Sequence, residues 1–278
     1  AYGGAEFAAD GRGVYLATDL GAEFQRLAYM DLQTRAVTPL TPDIPWDVEA
    51  FDVSPDGATV AFATNEEGIS RLYLLDTRTR AYRRVESVPV GVIGGVLWHR
   101  NGREIGFSLN SARSPTDTWS VDVASGAATR WTESELGGLV ASELSEPTLV
   151  RWPTFDGKTI SGFLYRPPAR FTGRRPVIIN IHGGPEGQSR PIFLGRSNYY
   201  LNELGVAVLF PNVRGSTGFG KSFVKLDNGM RREEERCLWK KRGWPPAALR
   251  SVRRSLHPQE RVARPATAAV YGHGRRAW

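Results

Sequence analysis

Val177-Ile178-Ile179-Asn180-Ile181-His182-Gly183-Gly184-Pro185 is the stretch on which the fold of this chain turns. A continuous apolar run of this kind suits a strand buried on both faces. A second such run, Val206-Ala207-Val208-Leu209-Phe210, follows a helix-compatible stretch at Ser197–Leu204 that Gly205 can terminate. Strand, helix and strand in this order predict a βαβ unit, hence a parallel sheet covered by helices. Just upstream, Leu149–Trp152 and Ile160–Tyr165 flank Asp156-Gly157 and read as a β-hairpin, closed by Pro167-Pro168.

Working back towards residue 1, the chain repeats. Asp10-Gly11, Asp56-Gly57 and Asn101-Gly102 are spaced by 46 and 45 residues. Each precedes a β-prone run: Val14–Ala17, Val60–Ala63 and Ile105–Ser108. A second run then ends at Asp31, Asp76 and Asp122, at the same period. Short strands and Asx-Gly turns at this period predict four-stranded propeller blades, with the second acid closing the next turn. A β-sandwich with coincident spacing is the alternative. Three blades do not close a ring of about 4–8, so further blades upstream of Ala1 are expected. The predicted fold is a partial β-propeller of about three blades (1–131), a connector (132–148), and the N-terminal part of an α/β domain (149–235). A basic, unassigned tail (236–278) is not expected to fold natively.

Charge narrows the partners. The net +7 is confined to the tail, where eleven arginines and lysines face only Glu260 and give +10; the preceding 235 residues carry −3. The body therefore offers no footprint for a phosphate backbone, and a nucleic-acid partner is not expected there. The basic tail with its interleaved aromatics could bind RNA or an acidic membrane surface, but out-of-frame translation of GC-rich DNA is the favoured reading. The single cysteine, Cys237, excludes an internal disulfide framework and a multi-cysteine metal site. No long uncharged apolar run marks a membrane span and no signal peptide is visible, so the expectation is a cytoplasmic protein with no metal, cofactor or membrane partner.

His182-Gly183-Gly184-Pro185 has two readings: an ordinary glycine turn with a surface histidine, or half of an oxyanion hole. With Gly162-Phe163-Leu164-Tyr165-Arg166-Pro167 and Asn212-Val213-Arg214-Gly215-Ser216-Thr217-Gly218-Phe219-Gly220, the chain resembles the prolyl oligopeptidase family of serine peptidases, in its acylaminoacyl-peptidase and dipeptidyl-peptidase-like branch. The likeness covers roughly residues 1–233, more strongly from 149 onward. It implies a propeller followed by an α/β-hydrolase domain, short peptides as substrates, Gly184 as a backbone oxyanion donor and His182 in a structural role. Arg214, Gly215, Ser216, Gly218 and Gly220 belong to the second shared motif.

Gly215–Ser222 also matches the Walker A pattern, with Lys221 and Ser222 as phosphate and magnesium ligands. Pro211–Arg214 between strand and loop, and Asp227-Asn228-Gly229 soon after, argue against a nucleotide site. A serine peptidase of this class further needs a G-x-S-x-G elbow, then Asp, then His. None of these triad residues is found: Ser216 is one glycine short of the pattern, and the tail has no Asp. The chain as written is expected to be inactive, and a shift of reading frame near Glu233–Arg236 would explain where the resemblance stops. A non-catalytic propeller interaction module is the alternative function.

Overall fold

The computed structural model of the protein describes residues 1–154, 156–183 and 186–227, and the backbone of Ala268–Gly272. The chain divides into two compact units, Ala1–Glu135 with Gly218–Lys221, and Leu136–Thr217 with the residues from Ser222 on.

Three four-stranded sheets make up the first unit, each running in chain order. They are β1 (Tyr2–Phe7) to β4 (Val37–Pro39) through β2 (Gly13–Thr18) and β3 (Arg26–Asp31); β5 (Asp47–Val53) to β8 (Tyr82–Arg84) through β6 (Thr59–Glu66) and β7 (Ile69–Asp76); and β9 (Val92–Trp98) to β12 (Ala128–Arg130) through β10 (Glu104–Ser111) and β11 (Ser114–Asp122). All neighbours pair antiparallel, the pattern of propeller blades.

The turn chemistry repeats with the sheets. Gly11, Gly57 and Gly102 take φ of 68°, 70° and 67°, and their amides donate to Ala8, Ser54 and His99 carbonyls at 2.8–2.9 Å. Only the glycine is left-handed, so these are wider turns than the two-residue hairpin expected of Asx-Gly. The Asx side chain instead accepts from the amide two residues on, in Arg12, Ala58 and Arg103, at 2.8–3.0 Å. Asp31, Asp76 and Asp122 close the next turn by accepting from the amides of Thr34, Thr79 and Ser125 at 2.6–2.7 Å.

Alternation along β6 builds two cores from one strand. Val60 and Phe62 pack with Tyr15, Leu27 and Leu75 towards the first sheet, while Ala61 and Ala63 pack with Ile105, Phe107 and Leu109 towards the third. Phe62 also stacks on Tyr73, its cross-strand partner, at 5.1 Å. On β11, Asp117 is a fully buried carboxylate. It pairs with Arg130 at 2.6 Å and accepts from the hydroxyls of Ser114, Thr132 and Ser134, tying the last strand and the chain leaving it to β11. Burial pushes this carboxyl up, but the hydrogen bonds from Ser114, Arg130 and Thr132 outweigh it and hold the group well below its ordinary range.

The second unit is one five-stranded sheet. β13 (Thr148–Pro153) and β14 (Thr159–Tyr165) form the expected hairpin, followed by β15 (Val177–Ile181), β16 (Ala207–Asn212) and β17 (Ala268–Gly272). Their order is β13-β14-β16-β15-β17. β15 pairs in parallel with β16 and β17, and β14 lies antiparallel to β16. The helix α1 (Asn198–Asn202) is shorter than expected, because a 3-10 turn at Gly195–Ser197 takes Ser197 and the chain turns away at Glu203 and Leu204. Arg175 donates to the carbonyls of Gly205 and Leu204 at 2.7 and 2.9 Å, and Arg170 to that of Asn202, so two guanidinium groups flanking the Phe171 ring satisfy the chain end of α1. The sheet buries Val150, Trp152, Leu164, Ile179 and Leu209 in a single cluster.

The pairing in this sheet bears on the surroundings of β16 and on the tail. A sheet cut short would leave Val206–Phe210 with a bare edge, yet β16 is hydrogen-bonded on both sides, because the β13–β14 hairpin docks antiparallel against it. Within 236–278, Ala268–Gly272 forms a strand on β15, where its apolar Ala268-Ala269-Val270 run continues the parallel pairing; the rest of that segment lies outside the described residues.

Candidate functional site

β15 and β16 run parallel, so the chain leaves both at the same end of the sheet, where open α/β sheets bind ligands. His182 and Gly183 follow β15; Asn212 ends β16 and leads into Val213–Gly220. Gly184 and Pro185, the centre of the candidate oxyanion loop, lie outside the described residues.

The two chain segments are joined through side chains. Asn212 is fully buried; its Oδ1 accepts from Ser189 N at 2.6 Å and its Nδ2 donates to Ser189 O at 3.1 Å. Thr217 N donates to Gly187 O at 2.9 Å. Glycine at 187 suits the close fold-back of the loop: a Cβ there would meet His182 Nδ1 at 3.0 Å and Gly183 O at 3.2 Å, and these neighbours would have to give by a few tenths of an ångström.

His182 Nε2 is 2.9 Å from Ser216 Oγ, which has the look of a base–nucleophile pair. Proton accounting excludes that role. Ser216 Oγ is also 2.6 Å from Val213 O, and a carbonyl only accepts, so the hydroxyl proton points there. The imidazole must then donate through Nε2–H and cannot take the serine proton. Ser216 is also fully buried, beyond the reach of a substrate carbonyl. Burial moves the His182 pKa down from its ordinary value, favouring the neutral ring.

The local backbone explains the placement of Ser216. Its amide donates to Val213 O at 3.0 Å, and Gly215 takes φ 85°, the left-handed value that the third position of a type II turn demands. Arg214, one residue earlier, pairs with Asp156 of the β13–β14 turn at 3.4 Å and donates to Leu226 O at 3.4 Å. Asp156 is pushed up by burial but held below the usual carboxylate range by Thr154 and by the Arg214 charge. Sequence reading placed Asp156 only as a turn residue and gave no role to Asn212, Ser189 or Gly187. The signal for Asn212 was present: a polar amide directly after the apolar run of β16.

The remaining motif residues belong to the first unit. Lys221 Nζ contacts Asp19 through both its carboxylate, at 2.9 Å, and its carbonyl, at 2.8 Å. The helix α2 (Lys221–Val224) spans one turn before a 3-10 turn at Lys225–Asp227. A phosphate loop needs a free lysine at the start of a long helix; here the lysine is engaged and the helix is short. Among the described residues no cluster of three or more His, Cys, Asp or Glu could hold a metal ion, and no helix is long and apolar enough to cross a membrane.

Comparison with known proteins agrees with this architecture. No family model matches. The chain is 25% identical over 234 residues to dipeptidyl aminopeptidase BIII of Pseudoxanthomonas mexicana, covering 79% of this chain and 33% of that protein. It is 30% identical over 179 residues to dipeptidyl-peptidase 5 of Porphyromonas endodontalis, covering 62% and 25%. A solved prolyl endopeptidase superimposes with a TM-score of 0.72 at 17% identity, over 96% of this chain and 38% of that one. Blade-like sheets followed by a mixed sheet are thus the architecture that this chain shares with that endopeptidase. In sequence it is similar to dipeptidyl peptidases over most of its length. It spans a third or less of the length of the two curated relatives.

Proposed function

We propose that these residues are the last blades of a β-propeller and the first strands of an α/β-hydrolase domain, from a peptidase that cleaves short peptides by acyl transfer to serine. The observation that carries this reading is the strand order β13-β14-β16-β15-β17, with His182-Gly183 leaving the end of β15. In this reading Gly184 N–H supplies one oxyanion donor, and the propeller restricts the site to short peptides. The names of the dipeptidyl-peptidase relatives support a short peptide as substrate.

The 278 residues as written hold the scaffold of such a site without its nucleophile. β17 ends at Gly272 and the sequence continues His273-Gly274-Arg275-Arg276, with Gly274 where a G-x-S-x-G elbow begun at Gly272 would carry serine and Arg276 where it would carry glycine. We expect no labelling by a fluorophosphonate probe and no hydrolysis of dipeptidyl fluorogenic amides; stoichiometric labelling of any serine would overturn this. The peptidase assignment has its own test in the coding DNA. Translated across Glu233–Arg236 in the other two forward frames, it should give a G-x-S-x-G elbow, then an Asp and a His. A propeller module without catalysis is the second reading, favoured by the buried, proton-committed Ser216; finding no elbow in either frame would leave it in place.

A further inference from the structure

We infer that Asn212, Ser216 and the backbone of Thr217 are positioning residues that fix both arms of the 182–189 loop, with His182 acting as the link on one side. The loop leaves β15 through Ile181–Gly183 and returns through Gly187–Ser189. The outgoing arm is held at His182 by Ser216 Oγ at 2.9 Å. The returning arm is held twice, by the reciprocal Asn212–Ser189 pair and by Thr217 N on Gly187 O. All three anchors come from one short segment, Asn212–Thr217. That segment is stiffened by the Val213–Ser216 turn and by the Arg214–Asp156 pair.

The anchoring has a chemical signature. With its proton committed to Val213 O, the Ser216 hydroxyl offers His182 only a lone pair, and this selects the Nε2–H tautomer. Nδ1 lies 3.4 Å from Gly183 O, too far to compete for the proton with the 2.9 Å contact at Nε2. Ring orientation is thereby set by a group that touches neither substrate nor nucleophile. The meaning of this for catalysis rests on the peptidase reading above, since a loop whose amides must meet a developing oxyanion gains from being rigid before the reaction. The geometry itself does not depend on that reading.

The test uses the whole 15N-labelled chain and long-range proton–nitrogen spectra of its imidazoles, with His182 assigned by its loss in His182→Gln. In the unmodified chain above neutral pH, Nε2 should carry the proton and Nδ1 should not; the opposite tautomer would overturn the inference without any variant being made. Ser216→Ala should give a mixture of tautomers and speed amide exchange at Gly183 by about 5–10-fold, the loss of one hydrogen bond. Ser216→Thr, which keeps the hydroxyl, should restore the Nε2–H form. Asn212→Ala should speed exchange at Ser189 and leave the His182 tautomer alone, because the two arms are anchored separately. Unchanged spectra and exchange in Ser216→Ala would sink the proposal. None of these readouts requires hydrolysis, so they can fail while the peptidase reading stands, and the frame and labelling tests can fail while the anchoring stands.

Discussion

Asp31, Asp76 and Asp122 each close a turn with an amide three residues away, whereas Asn212 and Ser216 reach back 23 and 34 residues to Ser189 and His182. The first unit is specified by local interactions written three times over. The second is specified by single interactions between segments that meet only once the sheet has formed. Their failures should therefore differ: loss of one turn acid leaves two intact copies, while loss of one anchor has no substitute.

The largest effects should come from the two cores and test whether the units are energetically separate. Phe62→Ala and Trp152→Ala each empty a site below 2% exposure and should cost about 3–5 kcal/mol. Followed by denaturant titration with tryptophan fluorescence and circular dichroism, each should lower the transition of its own unit and leave the other. A single shared transition displaced equally by both would break the comparison. Asp117→Asn comes next. It leaves Arg130 facing a neutral amide among donors arranged for a carboxylate, at a cost of about 2–4 kcal/mol, discounted because Arg130 keeps partial access to water. An unchanged denaturation midpoint would show that the buried pair contributes nothing net.

The same contrast governs what could be read from the residues. The blades were legible because the Asx-Gly turns and terminal acids recur at one period, and two landmarks agreeing in phase leave little freedom in strand placement. β13 to β16 were legible from apolar runs bounded by turn residues. The neighbours of β16 were not, since a parallel run says that a strand is buried and not which strands bury it. At the site, His182 and Ser216 were both singled out, but their contact was invisible, and only coordinates show which way the serine proton points. Asn212, Ser189 and Asp156 were missed as partners for the same reason.

A pH titration sharpens the comparison at intermediate scale, because the first unit carries acids shifted in opposite directions. Asp31, Asp76 and Asp122 are held below their ordinary pKa, first by the backbone amides of Thr34, Thr79 and Ser125. Their contribution is present above the unfolded value near 3.8 and is lost as the pH falls below it. Glu6 is raised from 4.5 to about 7, first by burial and then by Asp52, against the opposing hydrogen bond from Val53 N. The folded unit holds that proton more tightly than the unfolded chain, so stability falls as the pH rises from about 4.5 to 7. The first unit should thus be most stable near the bottom of that window, and Glu6→Gln should remove the decline on its neutral side. A Glu6→Gln chain that still lost stability over the same range would assign the effect elsewhere.

The smallest expected effect probes how closely the three copies match. After the turn acid, Arg35, Arg80 and Gly126 occupy the same place, with φ of 60°, 61° and 70°. Each amide donates to the carbonyl of its turn acid at 2.8 Å. Two copies therefore hold an arginine in the left-handed region where the third has glycine. Left-handed backbone costs a residue with a Cβ roughly 1–2 kcal/mol, and glycine's extra freedom in the unfolded chain returns roughly 0.5–1 kcal/mol of that. Both arginines are exposed, so little packing is lost on replacing them. Arg35→Gly and Arg80→Gly should each stabilise the first unit by up to about 1 kcal/mol, and Gly126→Ala should destabilise it by a similar amount. The three effects should add, since the turns lie in separate sheets with no shared partners. If Arg35→Gly is destabilising while Gly126→Ala is neutral, the turns are not equivalent, and the repeat in sequence overstates the repeat in energy.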